Sequence, residues 1–477
     1  MDALPARLPR WLPAQRWFGG KSRTIAGTTI ADIIWLGRPP QHTALLIVDV
    51  RYERDGHGDA EERYAMLVGL ADTEAANALV DLPGPPPMRV VEAGAERDSI
   101  IVLLQAMTSG AALQGLRRGI VQAADISADR AIEPGPDLHI KPVGVEQSNT
   151  SVRVGRDHVL KVIRRLQPGE HPQLEIERFL TNAGFTGAPR LDGSLTYVSV
   201  DGRRYAVAAL EGWVENLGDG WSFVMAALEQ SATDEERITS LRRDMFALGT
   251  VTAAFHATLA AGTAPAFAPD PASPHDAVNW RHRVVAHGDR VFAMLDGAHR
   301  GWQGRAAHLA RRLLEHRSHL AAIVARLDLD RHIDAVRKIR VHGDYHLGQT
   351  LKTTSGFILI DFEGEPSRSI DERRAKDCAL KDVAGMLRSF DYAEATCASR
   401  GVDVSPAVAA MRQGFLDGYF AGARTRAFLP APDHAAPLLA LFELEKALYE
   451  IDYELNNRPD WVAIPLAATL RLLGETP

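Results

Sequence analysis

The chain has 477 residues, 54 Lys+Arg against 61 Asp+Glu, and a formal net charge of −7. That length exceeds one average domain, so two or three packed units are expected, and the charge excludes a general nucleic-acid binder. Two cysteines outside any metal-spacing pattern, no apolar run of about eighteen residues and no signal-peptide core fit a soluble cytoplasmic protein with no membrane partner.

In chain order, Trp11, Trp17 and Phe18 come first, beside Arg16 and Lys21. They read as a ligand platform or as a start anchored in a core, and aromatics near a terminus more often anchor. Residues 44–50 and 64–68 predict strands of a small antiparallel sheet joined by a charged loop, and 72–80 predict a helix. The Pro-rich run at 83–87 breaks the chain and sets the end of a first unit, 1–87. Further strands are expected at 89–91 and 100–104, with a loop over 125–136.

Two β-rich runs then flank Glu146-Gln147-Ser148-Asn149-Thr150-Ser151. Such a tip is either a solvated turn or a cover over nucleotide phosphates, and it carries no Gly-x-Gly signature. Lys161 sits mid-strand among Val159, Leu160, Val162 and Ile163, where its head needs solvent or an anion. The helix expected at 173–183 buries Ile176, Phe179, Leu180 and Ala183, with Glu175 flanking that face and Glu177 further round. A strand lysine paired with a glutamate of the next helix clamps nucleotide phosphates in kinases, so Lys161–Glu175 is the expected pair and Glu177 the fallback. Residues 205–210 predict a strand closing a second unit, 88–210. Glu211-Gly212-Trp213-Val214 would form a hinge where backbone groups meet an adenine edge.

The third unit, 211–477, reads as mostly helical, with apolar periodicity over 223–228, 235–259 and 305–327. His256 lies on an apolar face, where a satisfied core histidine is the better reading than a ligand. Two short apolar runs, 339–341 and 357–360, predict strands that empty into His342-Gly343-Asp344 and Asp361-Phe362-Glu363. In the kinase template a base Asp is followed five residues on by a metal-binding amide and, after a buried strand, by a second Asp. Asp344, Gln349 and Asp361 occupy those offsets, and an amide oxygen with a carboxylate suits Mg²⁺. Isolated Asp residues capping strand ends are the plainer alternative, but three polar positions at fixed offsets argue against it.

The charged run 368–376 fits either a solvated surface or a substrate-side loop, and 380–392 a helix whose Asp382 and Arg388 brace the site. Near the C-terminus, Leu441, Leu444, Leu448, Ile451 and Leu455 form a core stripe. A second stripe holds Glu445, Tyr449, Asp452 and Asn456, flanked by Tyr453 and followed by Arg458 and Trp461. Carboxylates, an amide and rings on one face suit a sugar; an ordinary wet helix face is the alternative.

The strings Val341-His342-Gly343-Asp344-Tyr345-His346-Leu347-Gly348-Gln349, Ile360-Asp361-Phe362-Glu363-Gly364-Glu365-Pro366, Leu12-Pro13-Ala14-Gln15-Arg16-Trp17-Phe18-Gly19-Gly20-Lys21 and Tyr453-Glu454-Leu455-Asn456-Asn457-Arg458-Pro459 resemble the actinobacterial maltokinases. These are relatives of the aminoglycoside phosphotransferases with a protein-kinase-like fold. The resemblance implies an α+β, bilobal fold with an N-terminal cap on a β-rich lobe and a helical C-terminal lobe. It implies transfer of the ATP γ-phosphoryl group to maltose with Mg²⁺, giving maltose 1-phosphate for α-glucan synthesis, by a monomer whose partners are sugar and ATP. Asp344 becomes the base, Gln349 and Asp361 the metal ligands with Glu363 a further contact, and Lys161 a phosphate contact. The loop ending in Gln147, Ser148, Asn149, Thr150 and Ser151 covers the nucleotide, and His346 joins the substrate-side candidates. A related branch phosphorylates glucosamine, and amino-sugar or aminoglycoside kinases are the alternative within the fold; a pseudokinase scaffold is a more distant one.

Overall fold

Alternating aliphatic residues fold the first two hundred positions into sheet, and the rest of the chain turns to helical periodicity. The structure, a computed structural model, describes residues 3–37, 43–53, 61–71, 78–82, 88–126, 132–135, 137–143, 148–231, 234–298, 301–366, 368–421 and 424–475. Two compact units result, Met1–Asn182 with Pro189–Val214, and Ala183–Ala188 with Glu215–Pro477.

In the first unit, helix α1 (Leu4–Trp11) precedes strands β1 (Ile25–Trp35), β2 (Ala44–Tyr52), β3 (Glu61–Ala71), β4 (Ala78–Leu82) and β5 (Met88–Glu92). They pair antiparallel in the order β1-β2-β3-β5-β4. Trp17 and Phe18 are buried with Leu4, Leu8 and Leu12 in the core of this sheet, their rings 6.0 and 5.1 Å from Tyr64. The N-terminal aromatics are therefore an anchor.

Helix α2 (Arg97–Thr108) leads to β6 (Leu113–Gln114), β7 (Ile120–Ala124), β8 (Ile140–Pro142), β9 (Thr150–Val154), β10 (His158–Val162), β11 (Arg165–Leu166), α3 (Pro172–Asn182), β12 (Leu191–Val198) and β13 (Arg204–Gly212). A second sheet runs β6-β7-β12-β13-β10-β9-β8, while β11 joins β3. Two expectations fail here. The helix at 72–80 gives way to β4, because Leu79 and Val80 bury in the cap core while β4 pairs with β5; positions 72–77, like the boundary at 83–87, lie outside the described residues. The strand at 100–104 is instead the middle of α2, buried from Ser99 through Leu104. A continuous apolar run cannot by itself tell a buried strand from a buried helix.

The second unit contains α4 (Gly220–Ser231), α5 (Glu235–Ala260), β14 (Asp270–Pro271), α6 (Pro274–Ala298), α7 (Gly304–Glu315), α8 (Leu320–Ala325), β15 (Arg337–Lys338), β16 (Thr350–Thr353), β17 (Gly356–Leu359), α9 (Ile370–Arg374), α10 (Leu380–Ser399), α11 (Ser405–Phe420), α12 (Pro432–Asn457) and α13 (Ala463–Leu472). Asp234 caps α5 by accepting from the N–H groups of Glu236 and Arg237, a contribution of about 1 kcal/mol. Ser369 and Glu372 form a reciprocal capping box on the short α9. Arg388 on α10, 1% exposed, donates to Glu450 at 2.7 and 2.9 Å and so ties α10 to α12. That tie fixes the rotation of the helix carrying the polar stripe.

Residues 357–359 form β17, in a hairpin with β16. Residues 339–341 do not form the expected strand: Ile339 makes a single antiparallel bridge to Asp377. Just beyond this run, the backbone donors of His342 and Gly343 are taken by the Asp382 carboxylate rather than by a strand partner. Both cysteines are free and buried. Among the described residues no helix is long and apolar enough to cross a membrane.

Candidate active site

The segment from Val341 to Gln349 is held by side chains of two helices. Asp382 of α10 accepts the N–H of His342 at 2.7 Å and of Gly343 at 3.0 Å, and also contacts His256 Nε2 of α5 at 2.9 Å. His256 Nδ1 meets the Tyr419 hydroxyl at 2.9 Å, so this histidine is fully satisfied in the core. Burial opposes the charge on Asp382, but its hydrogen bond to His256 and nearby imidazole charge hold the carboxyl below its usual range. The Tyr345 hydroxyl meets Thr252 Oγ1 at 2.7 Å, and the Leu347 N–H donates to Ser389 Oγ at 3.2 Å. His342 Nε2 lies 3.0 Å from the Ile360 carbonyl, tying this segment to the one that follows β17.

Asp361 takes the left-handed conformation, with φ of 64°. Asp tolerates this better than most residues, and such local strain gathers at functional sites. Its carboxylate accepts from Gln349 Nε2 at 3.0 Å, so the amide and the acid stand side by side. Among the described residues no three His, Cys, Asp or Glu side chains gather into a protein metal cage. Mg²⁺ does not require one, because it binds through one or two protein oxygens with phosphates and waters. The adjacent Gln349 and Asp361 fit that ion. Gly343, at φ 84°, and Gly364, at φ 74°, let the two segments approach: a Cβ on Gly343 would stand 3.4 Å from the Gly364 Cα.

Asp344 opens on a cavity of about 350 Å³. Lys446 of α12 projects into it, its Nζ 3.5 Å from Asp344 Oδ1 and 3.0 Å from Glu365 Oε1. Arg368 closes the far side of Glu365 at 2.6 Å. Burial works against the Glu365 charge, yet Lys446 and Arg368 pull its carboxyl down to about 2. The same reasoning applies to Asp377, buried but held at about 2 by Lys381 and Arg283. The charged run 368–376 is not merely a surface: Arg368, Arg373 and Lys376 all line the cavity.

The expected sugar stripe divides. Glu445 and Tyr449 line the cavity, Glu445 accepting from Arg283 Nε at 3.0 Å. Asp452, Tyr453, Asn456 and Arg458 are not among its lining residues; Asn456 folds back onto Asp452, and Arg458 onto Glu454. Trp461 faces a different hollow, shared with Trp221 and Arg471, because the chain turns after Asn457 and breaks the helical stripe. His346 spends its Nδ1 on the Gly348 N–H, and burial holds the ring below its usual range. Glu363 enters the network through its carbonyl, which accepts from Arg373.

In the first unit, Lys161 Nζ donates to Gln173 Oε1 at 2.9 Å. Gln173 Nε2 passes the contact to Glu177 at 2.9 Å and to Glu211 at 2.7 Å. Gln173 thus touches both the strand lysine and the helix acid Glu177, and Glu175 is buried on the same helix. Gln147 lies outside the described residues. Ser148 and Asn149 precede β9, which contains Thr150 and Ser151; Asn149 and Thr150 accept from Arg164, and Ser151 Oγ is buried with no hydrogen-bond partner among the described residues. The Trp213 N–H donates to the Asp157 carbonyl and its ring carries Arg153 at 4.0 Å. Sequence reasoning missed Gln173, Lys446 and Arg283. Lys446 alone carried a signal, as a cation set between Glu445 and Tyr449 on a stripe already singled out.

The β-rich unit is followed by a helical one that carries the Gln349–Asp361 contact and the cavity at Asp344, and the relatives of the chain are kinases. The maltokinase N-terminal cap domain family matches residues 11–92, which span the first sheet. A glucosamine kinase of Streptacidiphilus jiangxiensis is 30% identical over 370 residues, 75% of this chain and 79% of its own. One of Mycolicibacterium smegmatis is 30% identical over 340 residues, 70% and 80%. A solved glucosamine kinase matches 98% of this chain and 99% of its own with a TM-score of 0.67 at 22% identity. Another, in complex with glucosamine, ADP and inorganic phosphate, gives 0.65 at 23% identity over 98% and 99%. The chain belongs to one family of sugar kinases with these glucosamine kinases, and it carries the maltokinase N-terminal cap domain.

Proposed function

We propose that the protein is an ATP-dependent maltose kinase forming maltose 1-phosphate, a product suited to α-glucan and glycogen synthesis. The observation that carries this reading is the maltokinase cap over residues 11–92, joined in one chain to the Asp344–Gln349–Asp361 set. Asp344 orients the acceptor hydroxyl and takes its proton, help worth roughly 10²–10⁴-fold. Gln349 and Asp361 would hold Mg²⁺, with Glu363 a further contact; the ion, when bound, neutralises charge on the transferring phosphates. Lys161 serves the phosphates, with Glu175 or Glu177 as its partner, and Ser148 to Ser151 cover the nucleotide. Glu211 and Trp213 serve the adenine side. Glu445 and Tyr449 contact the sugar.

A second reading, a glucosamine kinase, is favoured by the two 30% identical relatives of that name. A panel of sugars with coupled ADP release and product analysis separates the two. Maltose should give the highest kcat/KM, with phosphate on the anomeric oxygen. Preference for glucosamine would overturn the maltose assignment, and no Mg²⁺-dependent ATP turnover with any sugar would overturn the kinase roles.

A further inference from the structure

The cavity beside Asp344 is rich in carboxylates, yet its other acids are already engaged. Asp276 meets Lys338 at 2.7 Å, and Asp377 meets Lys381 at 3.0 Å and Arg283 at 3.3 Å. Glu445 meets Arg283 at 3.0 Å, and Asp382 is satisfied by His256 and two backbone donors. Glu372 caps its own helix, and Glu365 is shared by Lys446 and Arg368. What remains is Asp344, and it faces the Lys446 ammonium at 3.5 Å.

A cationic amino sugar entering this cavity would have to displace a protein cation or lie against one. A neutral sugar would find fixed donors for its hydroxyl oxygens. We infer that Lys446 is a specificity-determining residue: its ammonium, set between Asp344 and Glu365, admits neutral polyhydroxyl acceptors and turns away protonated amino sugars. This rests on Asp344 being the base of a sugar kinase. Several charged groups face Lys446: Glu365 and Asp344 from the loops, Glu450 and the Tyr449 ring from its own helix. Burial opposes its charge, but Glu365 and Asp344 hold the ammonium well above the usual lysine range, so it stays charged at working pH. His287 of α6 lines the same cavity, and burial with Arg290 nearby keeps it below its usual range.

Glucose and glucosamine differ by one hydroxyl against one amine, which titrates near the α-amino value of about 7.7–8.0. Their kcat/KM ratio, taken from pH 6.5 to 9 on the full-length enzyme, tests the inference. Where one sugar turns over too slowly, its inhibition constant against maltose replaces kcat/KM. The wild type should favour glucose by about ten- to a hundredfold at the acid end, a margin of the kind like-charge contacts impose. That margin should shrink as the sugar amine loses its proton. Lys446→Met with Glu365→Gln removes the ammonium together with the carboxylate closest to it; it should flatten both the ratio and its pH dependence, and Lys446→Arg should restore them. A ratio unchanged in the double variant, or wild-type preference for glucosamine at pH 6.5, overturns the role of Lys446. Maltose turnover is scored separately: its absence with the Lys446 effect intact sinks the maltose reading and leaves this one standing.

Discussion

Gly385 of α10 lies against Tyr345 so closely that a Cβ built on it would stand 2.5 Å from the Tyr345 carbonyl oxygen. The obstacle is backbone, which cannot swing aside as a side chain can. Gly385→Ala should therefore push the Asp344 segment off α10. Overpacking of this kind costs about 1–3 kcal/mol, and turnover should fall further than the lost stability explains. Gly297→Ala, with nothing within 4 Å of the new methyl, is the control and should be neutral or slightly stabilising. Urea denaturation and steady-state kinetics on both variants decide the matter; equal behaviour would refute the packing argument.

Asp382 gives the same segment its electrostatic support. Asp382→Ala strips the acceptor from two backbone N–H groups and leaves buried His256 without its carboxylate. Leaving a buried polar group without its hydrogen-bond partner costs about 1–3 kcal/mol. Asp382→Asn keeps the shape and one acceptor oxygen, so it should fold better while losing turnover. If the Asn variant retained wild-type kcat, the brace would have no part in positioning Asp344.

For the proposed base, Asp344→Asn should lower kcat by roughly 10²–10⁴-fold while nucleotide affinity and the unfolding midpoint stay near wild type. An active Asn variant removes Asp344 from the chemistry. Lys161→Ala should act mainly on the apparent KM for ATP. Since Gln173 bonds Lys161 on one side and Glu177 and Glu211 on the other, Gln173→Leu should shift the same constant in the same direction. A Gln173→Leu enzyme with unaltered ATP dependence would make that relay structural only.

Much of this was legible because periodic patterns act over short distances. The stripe from Leu441 to Leu455, the strands around Lys161 and the helix after Leu380 emerge from local spacing. The misreadings have a different physics. The run inside α2 is apolar on every side, so it has no period to read. Residues 339–341 look extended, but Ile339 bridges only Asp377, and Asp382, forty residues on from His342, takes the backbone donors just after the run. Lys446 meets Glu365 and Asp344 from 81 and 102 positions away, a relationship that no local window contains. Gln173 sits at a helix start, where a polar residue is ordinarily solvated; only tertiary packing buries it.

The depressed acids Glu365 and Asp377 make an acid-stability prediction with a definite sign. Both are held at about 2 in the fold, against about 4.3 and 3.9 for free Glu and Asp side chains. The unfolded chain therefore binds more protons than the folded one between those values. The stabilisation is fully present above about pH 5 and is lost as pH falls toward 2. Glu365→Gln cannot titrate there. The stability gap between wild type and this variant should be widest at neutral pH, on the order of 3 kcal/mol at most, and should close between about pH 4.5 and 2. Urea unfolding at a series of pH values measures that gap directly. A gap that stayed constant from pH 7 down to 3 would mean that the Lys446–Glu365 contact contributes shape rather than charge to the site.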